Sequence, residues 1–169
     1  MSYSDDQLYG VRGWLAFLCI SLMALGPLAN LAITFADLGE AQRANPLLAA
    51  SPEWTTMKIV VWTITLVQVA MMIYTGWRLN HVFRRSTVKF TIVMLWVIGP
   101  VWGLLTVAVI GFLAGGNPFD SSTLFELARP AAWALAWTLY LIMSRRVANT
   151  YDQEGSEEQA EAELSNVFE

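Results

Sequence analysis

Cysteine and histidine are nearly absent from this sequence: one of each in 169 residues. Cys19 sits inside an apolar run with no partner for an intramolecular disulfide, so the redox compartment is not readable from it. His81 has no second histidine, which excludes a bis-histidine haem site within one chain. Without carboxylates clustered in the apolar stretches, a zinc or di-metal site lacks a ligand set, and no cofactor is expected. No nucleophile–base set stands out, so an enzyme is not expected either. Charge is scarce: 14% of residues carry one, against roughly 25% in an average soluble domain. There is no basic stripe to face a groove, so nucleic acid is excluded as a partner.

What is present is apolar. Hydrophobic residues make up 56% of the chain, more than a soluble protein of this size can hide without exposing large patches. Lipid is the solvent that removes this problem. Four stretches stand out: Trp14 to Ala36, Ile59 to Trp77, Phe90 to Ala114, and Ala131 to Met143. About 20 apolar residues cross a bilayer, so the fourth qualifies only if it starts near Leu124. Glu126 and Arg129 would then stand one helical turn apart and could pair. None of the four cores holds Asp, Glu, Lys, Arg or His, each of which costs ~2.5–3.5 kcal/mol at a helix centre. The segment before Trp14 lacks the shape of a cleaved signal, so the first helix is expected to be its own insertion signal.

Arg12, Arg78, Arg84, Arg85, Lys89, Arg145 and Arg146 flank one set of span ends, and only Arg43, Lys58 and Arg129 flank the other. The positive-inside rule then puts both termini in the cytoplasm. The expected fold is an all-α integral membrane protein, a four-transmembrane-helix bundle. Residues 1–13 form a cytoplasmic segment, 14–151 the membrane domain and 152–169 a cytoplasmic tail. Seven of the fourteen acids fall in that tail, which favours disorder. Its Ala160, Leu164, Val167 and Phe168 nonetheless share one face of a helix that could dock on a partner. Trp14, Trp54, Trp77, Tyr140 and Tyr151 lie near span ends, as an aromatic belt would.

Gly26-Pro27 and Gly99-Pro100 lie inside the first and third stretches, and Asn45-Pro46 and Asn117-Pro118 lie in the two loops that follow. The near-equal offsets read either as chance or as two parallel helical-hairpin repeats. Pro27 and Pro100 are helix kinks, which either shape the packing or open a polar cavity. Asn30 and Gln68 are the amides that would act there, as interhelical glue or as ligand contacts. Gly99, Gly103, Gly111 and Gly115 form a ridge at multiples of four, and Ala128, Ala132 and Ala136 repeat that spacing. These faces suit internal helix packing, or association with another membrane protein or a second copy of the chain. His81 reads as a solvated residue of a basic loop. Arg78, Arg84, Arg85 and Lys89 there, with Arg145 and Arg146, could hold anionic lipid headgroups or helix ends, or could only set topology.

Two end motifs carry a resemblance. Gly10-Val11-Arg12-Gly13-Trp14-Leu15 looks like the Gly-Gly-Trp-Leu opening of a bacterial inner-membrane family of unknown function, family 2569. Trp137, Tyr140 and Ser144-Arg145-Arg146-Val147, followed by Asn149-Thr150-Tyr151, look like its closing motif. Arg12 departs from that pattern, and the acidic tail lies outside it. The resemblance covers residues 8 to 151 and implies four helices and a bacterial inner membrane, but no activity. The leading expectation is an accessory, assembly or scaffold subunit that works by contact. The alternative is a transporter or channel component for a small molecule or ion, with a cavity near the two proline kinks.

Overall fold

The computed structural model describes residues 10–114 and 121–151, without the side chains of residues 48, 114 and 121–126. Gly115, the Asn117-Pro118 turn, the Glu126–Arg129 pair and the tail with its Ala160 to Phe168 face therefore lie outside the described residues. The described residues form helices and turns, with no strand among them.

Helix α1 spans Trp14–Ala44 and α2 spans Pro52–His81; α3 spans Arg85–Leu113. Helix α4 spans Ser121–Met143, and a short α5 spans Arg145–Tyr151. The first three are long and apolar enough to cross a membrane, while the apolar part of α4, Leu127–Met143, is shorter. Each helix runs beyond its apolar stretch because the backbone continues to satisfy its own hydrogen bonds past the last apolar residue. Local chemistry sets the ends. Ser51 accepts a hydrogen bond from the Trp54 N–H at 3.1 Å, ahead of Pro52 in the first turn of α2, a combination that starts helices well.

Cross-helix pairs fix the arrangement. Thr34 meets Thr65 at 3.1 Å and Asn30 meets Met72, joining α1 to α2. Tyr74 packs edge-on against Phe90, joining α2 to α3. The Trp96 indole donates to Thr138 at 3.2 Å, joining α3 to α4. With Gln68 meeting Ile98 between α2 and α3, and Gly99 meeting Pro130 between α3 and α4, the partner's number falls in each helix pair as the other's rises, so neighbouring helices run antiparallel.

Both prolines sit beside a wide turn. Ser21–Leu25 and Val97–Val101 are single π turns, the first just before Gly26-Pro27 and the second containing Gly99-Pro100. In the first, the Gly26 N–H reaches back five residues to the Ser21 carbonyl. In the second, the Trp102 N–H bonds the Val97 and Gly99 carbonyls and passes over that of Ile98, which a regular α ladder would use. Gln68 takes up the slack: its Nε2 donates to the Ile98 carbonyl at 2.9 Å. A polar side chain on one helix thus satisfies the backbone that a kink frees on another.

Among the described residues the helices form their main core at one end, where α1 and α3 begin and α2 and α4 finish. The core there holds Leu15, Leu18, Cys19 and Leu22 of α1, Leu79 of α2 and Leu95 of α3. Ala134, Trp137 and Leu141 of α4 and Val147 and Tyr151 of α5 complete it. Close backbone approach between α1 and α2 depends on Gly76, where a Cβ would stand 2.6 Å from Met23 Cγ, 3.0 Å from Leu22 Cβ and 3.3 Å from the Cys19 carbonyl. Trp54 and Tyr151, expected in an aromatic belt, are instead buried within the chain.

Candidate functional site

The other end is open. The Gly26–Ala44 half of α1 packs mainly on α2 and does not extend that packing to α4. Between these splayed halves lies a cleft of about 940 Å³, to which all four long helices contribute. Its volume is near the top of the range of roughly 300–1,000 Å³ usual for ligand pockets.

Asn30 and Gln68 both line this cleft. Each uses its amide nitrogen on the protein: Asn30 Nδ2 lies 3.4 Å from Met72 Sδ, and Gln68 Nε2 bonds Ile98. The two residues therefore serve as interhelical contacts at a site where a ligand could also meet them. Pro27 is buried, and Pro100 stands half-buried in its π turn.

The small-residue faces divide. Gly99 backs onto Pro130, whose carbonyl lies 3.5 Å from where a Cβ would stand, and Gly103 meets the tip of Leu127. Gly111 is half-buried on α3. Ala128, Ala132 and Ala136 do not perform the expected packing, for all three are exposed. Ala134 is the α4 alanine in the core. The break is physical: the Pro130 backbone brings α4 to Gly99 on a different face from the one those alanines share. Ala132 and Ala136 become cleft wall instead. A second, apolar groove of about 320 Å³ runs over the outside of the α1–α4 seam, lined by Trp14, Phe17, Trp133, Ala136, Trp137 and Tyr140. Trp133 and Ala136 line both cavities, so the cleft and the groove share a stretch of α4 wall, the α1–α4 track.

The basic residues frame the closed end. Arg78 lies over the Phe90 ring at 4.5 Å, a cation–π contact. His81 stacks on Trp77 at 5.2 Å and its Nδ1 lies 2.9 Å from the Trp77 carbonyl. The loop between α2 and α3 is only residues 82–84, so the basic belt stands on helix ends. Arg84, Arg85, Lys89 and Arg145 are exposed, and Arg146 is half-buried.

Arg146 belongs to a clasp between the two end motifs. The helical path breaks at Ser144, whose Oγ accepts the Val147 N–H at 3.4 Å and opens α5. Thr150 Oγ1 accepts the Gly10 N–H at 3.2 Å. Arg146 Nη1 lies 3.5 Å from the Cβ position of Gly13, a residue with φ 62° and ψ −132° that only glycine adopts readily. The Tyr151 hydroxyl donates to the Leu79 carbonyl, one of the last of α2, which the helix itself leaves unpaired. Burial pushes the Tyr151 phenol above its ordinary value of 10.0, with Cys19 and Tyr140 adding to the shift. A raised phenol stabilises the fold fully below that ordinary value and loses its contribution as pH climbs beyond it.

Three long apolar helices, a packed polar-clasped end and an open apolar cleft define an all-helical, membrane-embedded type of protein with a site between its helices. The chain belongs to the family described as protein of unknown function DUF2569, which it matches over residues 8–151. No curated protein and no solved structure was found to match it.

Proposed function

We propose that the chain is a four-span, non-enzymatic protein of the bacterial inner membrane, with both termini in the cytoplasm. On this reading α4 crosses with its full Ser121–Met143 length, and the closed end faces inward with its basic belt. It acts as an accessory or assembly subunit by holding a membrane-embedded molecule between the splayed halves of α1 and α4. The observation that carries this is the cleft of about 940 Å³, open along the seam and backed by a core that closes the other end. A pathway through the bundle would have to cross that core, which weighs against a channel. The placement of Asn30 and Gln68 in the cleft favours a small amphiphile over a purely apolar partner, and keeps a transport step as the second reading.

Native mass spectrometry of protein released from its own membranes tests the idea. The parent should carry a non-covalent mass that Ala136→Trp, which fills the track, loses. A parent free of any such mass would remove the reading. Reporter fusions test the topology: the Asn45-Pro46 and Arg84-Arg85 loops must report opposite sides of the membrane.

A further inference from the structure

The α1–α4 track has a length and a chemical polarity. Among the described residues Arg129 is the one charged residue lining the cleft, and it has no ion-pair partner there. Among the described residues no acidic side chain lines either cavity. Eleven residues separate Arg129 from Tyr140 at the far end of the groove, roughly 16 Å at 1.5 Å per residue. That is about half of the roughly 30 Å hydrocarbon core of a bilayer, the reach of one leaflet's acyl chain. The walls between these ends, Trp133, Ala136 and Trp137 on α4 and Phe17 on α1, are apolar or aromatic.

A cation at one end of an open apolar track matches an anionic headgroup joined to a hydrocarbon chain. An arginine within a span faces a cavity or a partner by default, and its planar fork meets a phosphate with two parallel hydrogen bonds. A partner helix would match the track less well, because it offers no group for the guanidinium unless it also carries an acid. We propose that the α1–α4 track binds a phospholipid of net negative charge, with its phosphate on Arg129 and one acyl chain lying along Trp133 and Ala136. This rests on the binding role proposed above and names the occupant. It is separate from the basic belt at the closed end, which any anionic bilayer surface would attract.

The test uses full-length protein in nanodiscs of neutral lipid, doped with a phosphatidylglycerol carrying a photoreactive acyl chain. Phosphatidylcholine with the same chain serves as the comparison. Mapping of labelled peptides should place the phosphatidylglycerol label on α1 and α4 along the track, about tenfold above phosphatidylcholine, the ratio that 1.4 kcal/mol confers. Arg129→Gln should bring the two lipids level, and Arg129→Lys should keep part of the preference. Equal labelling by both lipids in the parent would overturn the proposal while leaving an occupied cleft. Competition by inorganic phosphate would overturn it too, by placing a soluble anion on Arg129. Absence of label from the track with either lipid would overturn the proposal and the binding role together. The parent comparison needs no variant, so it stands even where Arg129→Gln fails to fold.

Discussion

The two ends of this bundle solve the same packing problem differently. At the closed end, five helices contribute to one core, and polar groups of distant segments bond one another: Tyr151 with Leu79, Thr150 with Gly10. At the open end, α1 leans on α2, and α4 meets α3 around Gly99 and Gly103. In lipid, apolar surface left uncovered carries no hydrophobic penalty, so helices separate wherever shape and hydrogen bonds do not hold them. The closed end therefore carries stability, and the open end is free to carry a ligand.

Substitutions can break or sharpen that contrast. Tyr151→Ala removes a fully buried aromatic and its bond to Leu79, and should cost about 3–5 kcal/mol. Loss of the folded peak in detergent gel filtration, or a much lower melting temperature, would register it. Gly76→Leu forces a side chain against the Cys19 carbonyl and the Leu22 Cβ, with an expected cost of about 1–3 kcal/mol. Gly103→Ala meets only the movable tip of Leu127 and should cost visibly less in the same melt. If the two glycines prove equal, the contrast between the ends is wrong.

Two smaller effects sharpen the picture. Thr91 is fully buried at the closed end and its hydroxyl has no hydrogen-bond partner. Thr91→Val should therefore stabilise the protein by about 1 kcal/mol, the lower range of an unsatisfied buried group, read as a raised melting temperature. Ala136→Leu, on the exposed α4 wall shared by the cleft and the groove, should leave the unliganded protein within about 0.5 kcal/mol of the parent. A large loss there would mean that the track is a packing surface.

Much of this architecture is written in single residues and their neighbours. The lack of charge in the long runs marks the helices, and Gly26-Pro27 and Gly99-Pro100 mark the kinks. The amides Asn30 and Gln68 stand out because they are rare polar groups in apolar surroundings, and both line the cleft. The π turns are not legible: Ser21–Leu25 reads as ordinary apolar helix, and Gly99-Pro100 inside Val97–Val101 signals a kink without saying that the turn is wide. The alanine spacing on α4 points to the wrong face because Pro130 sets which side of that helix meets Gly99. Gly76, where α2 meets the Cys19 carbonyl of α1, has no regularly spaced glycine on its own helix and so gives no pattern. The clasp between the end motifs joins residues 140 positions apart, a pairing that local sequence cannot express.

That clasp also orders events in time. Gly10 and Gly13 are made first, and their partners Thr150 and Arg146 come from the last segment of the matched region. Helix α1 must therefore wait in the bilayer, with its starting turn unsecured, until all four long helices have been synthesised. Domains are built from the N-terminus onward at about 5–20 residues per second, so the wait for the remaining ~140 residues lasts roughly 7–28 s by that rate. A chain halted after Met143 would hold every long helix and still lack the α5 residues that bring its ends together. The clasp thus closes only after every long helix has been made, and it depends on α5.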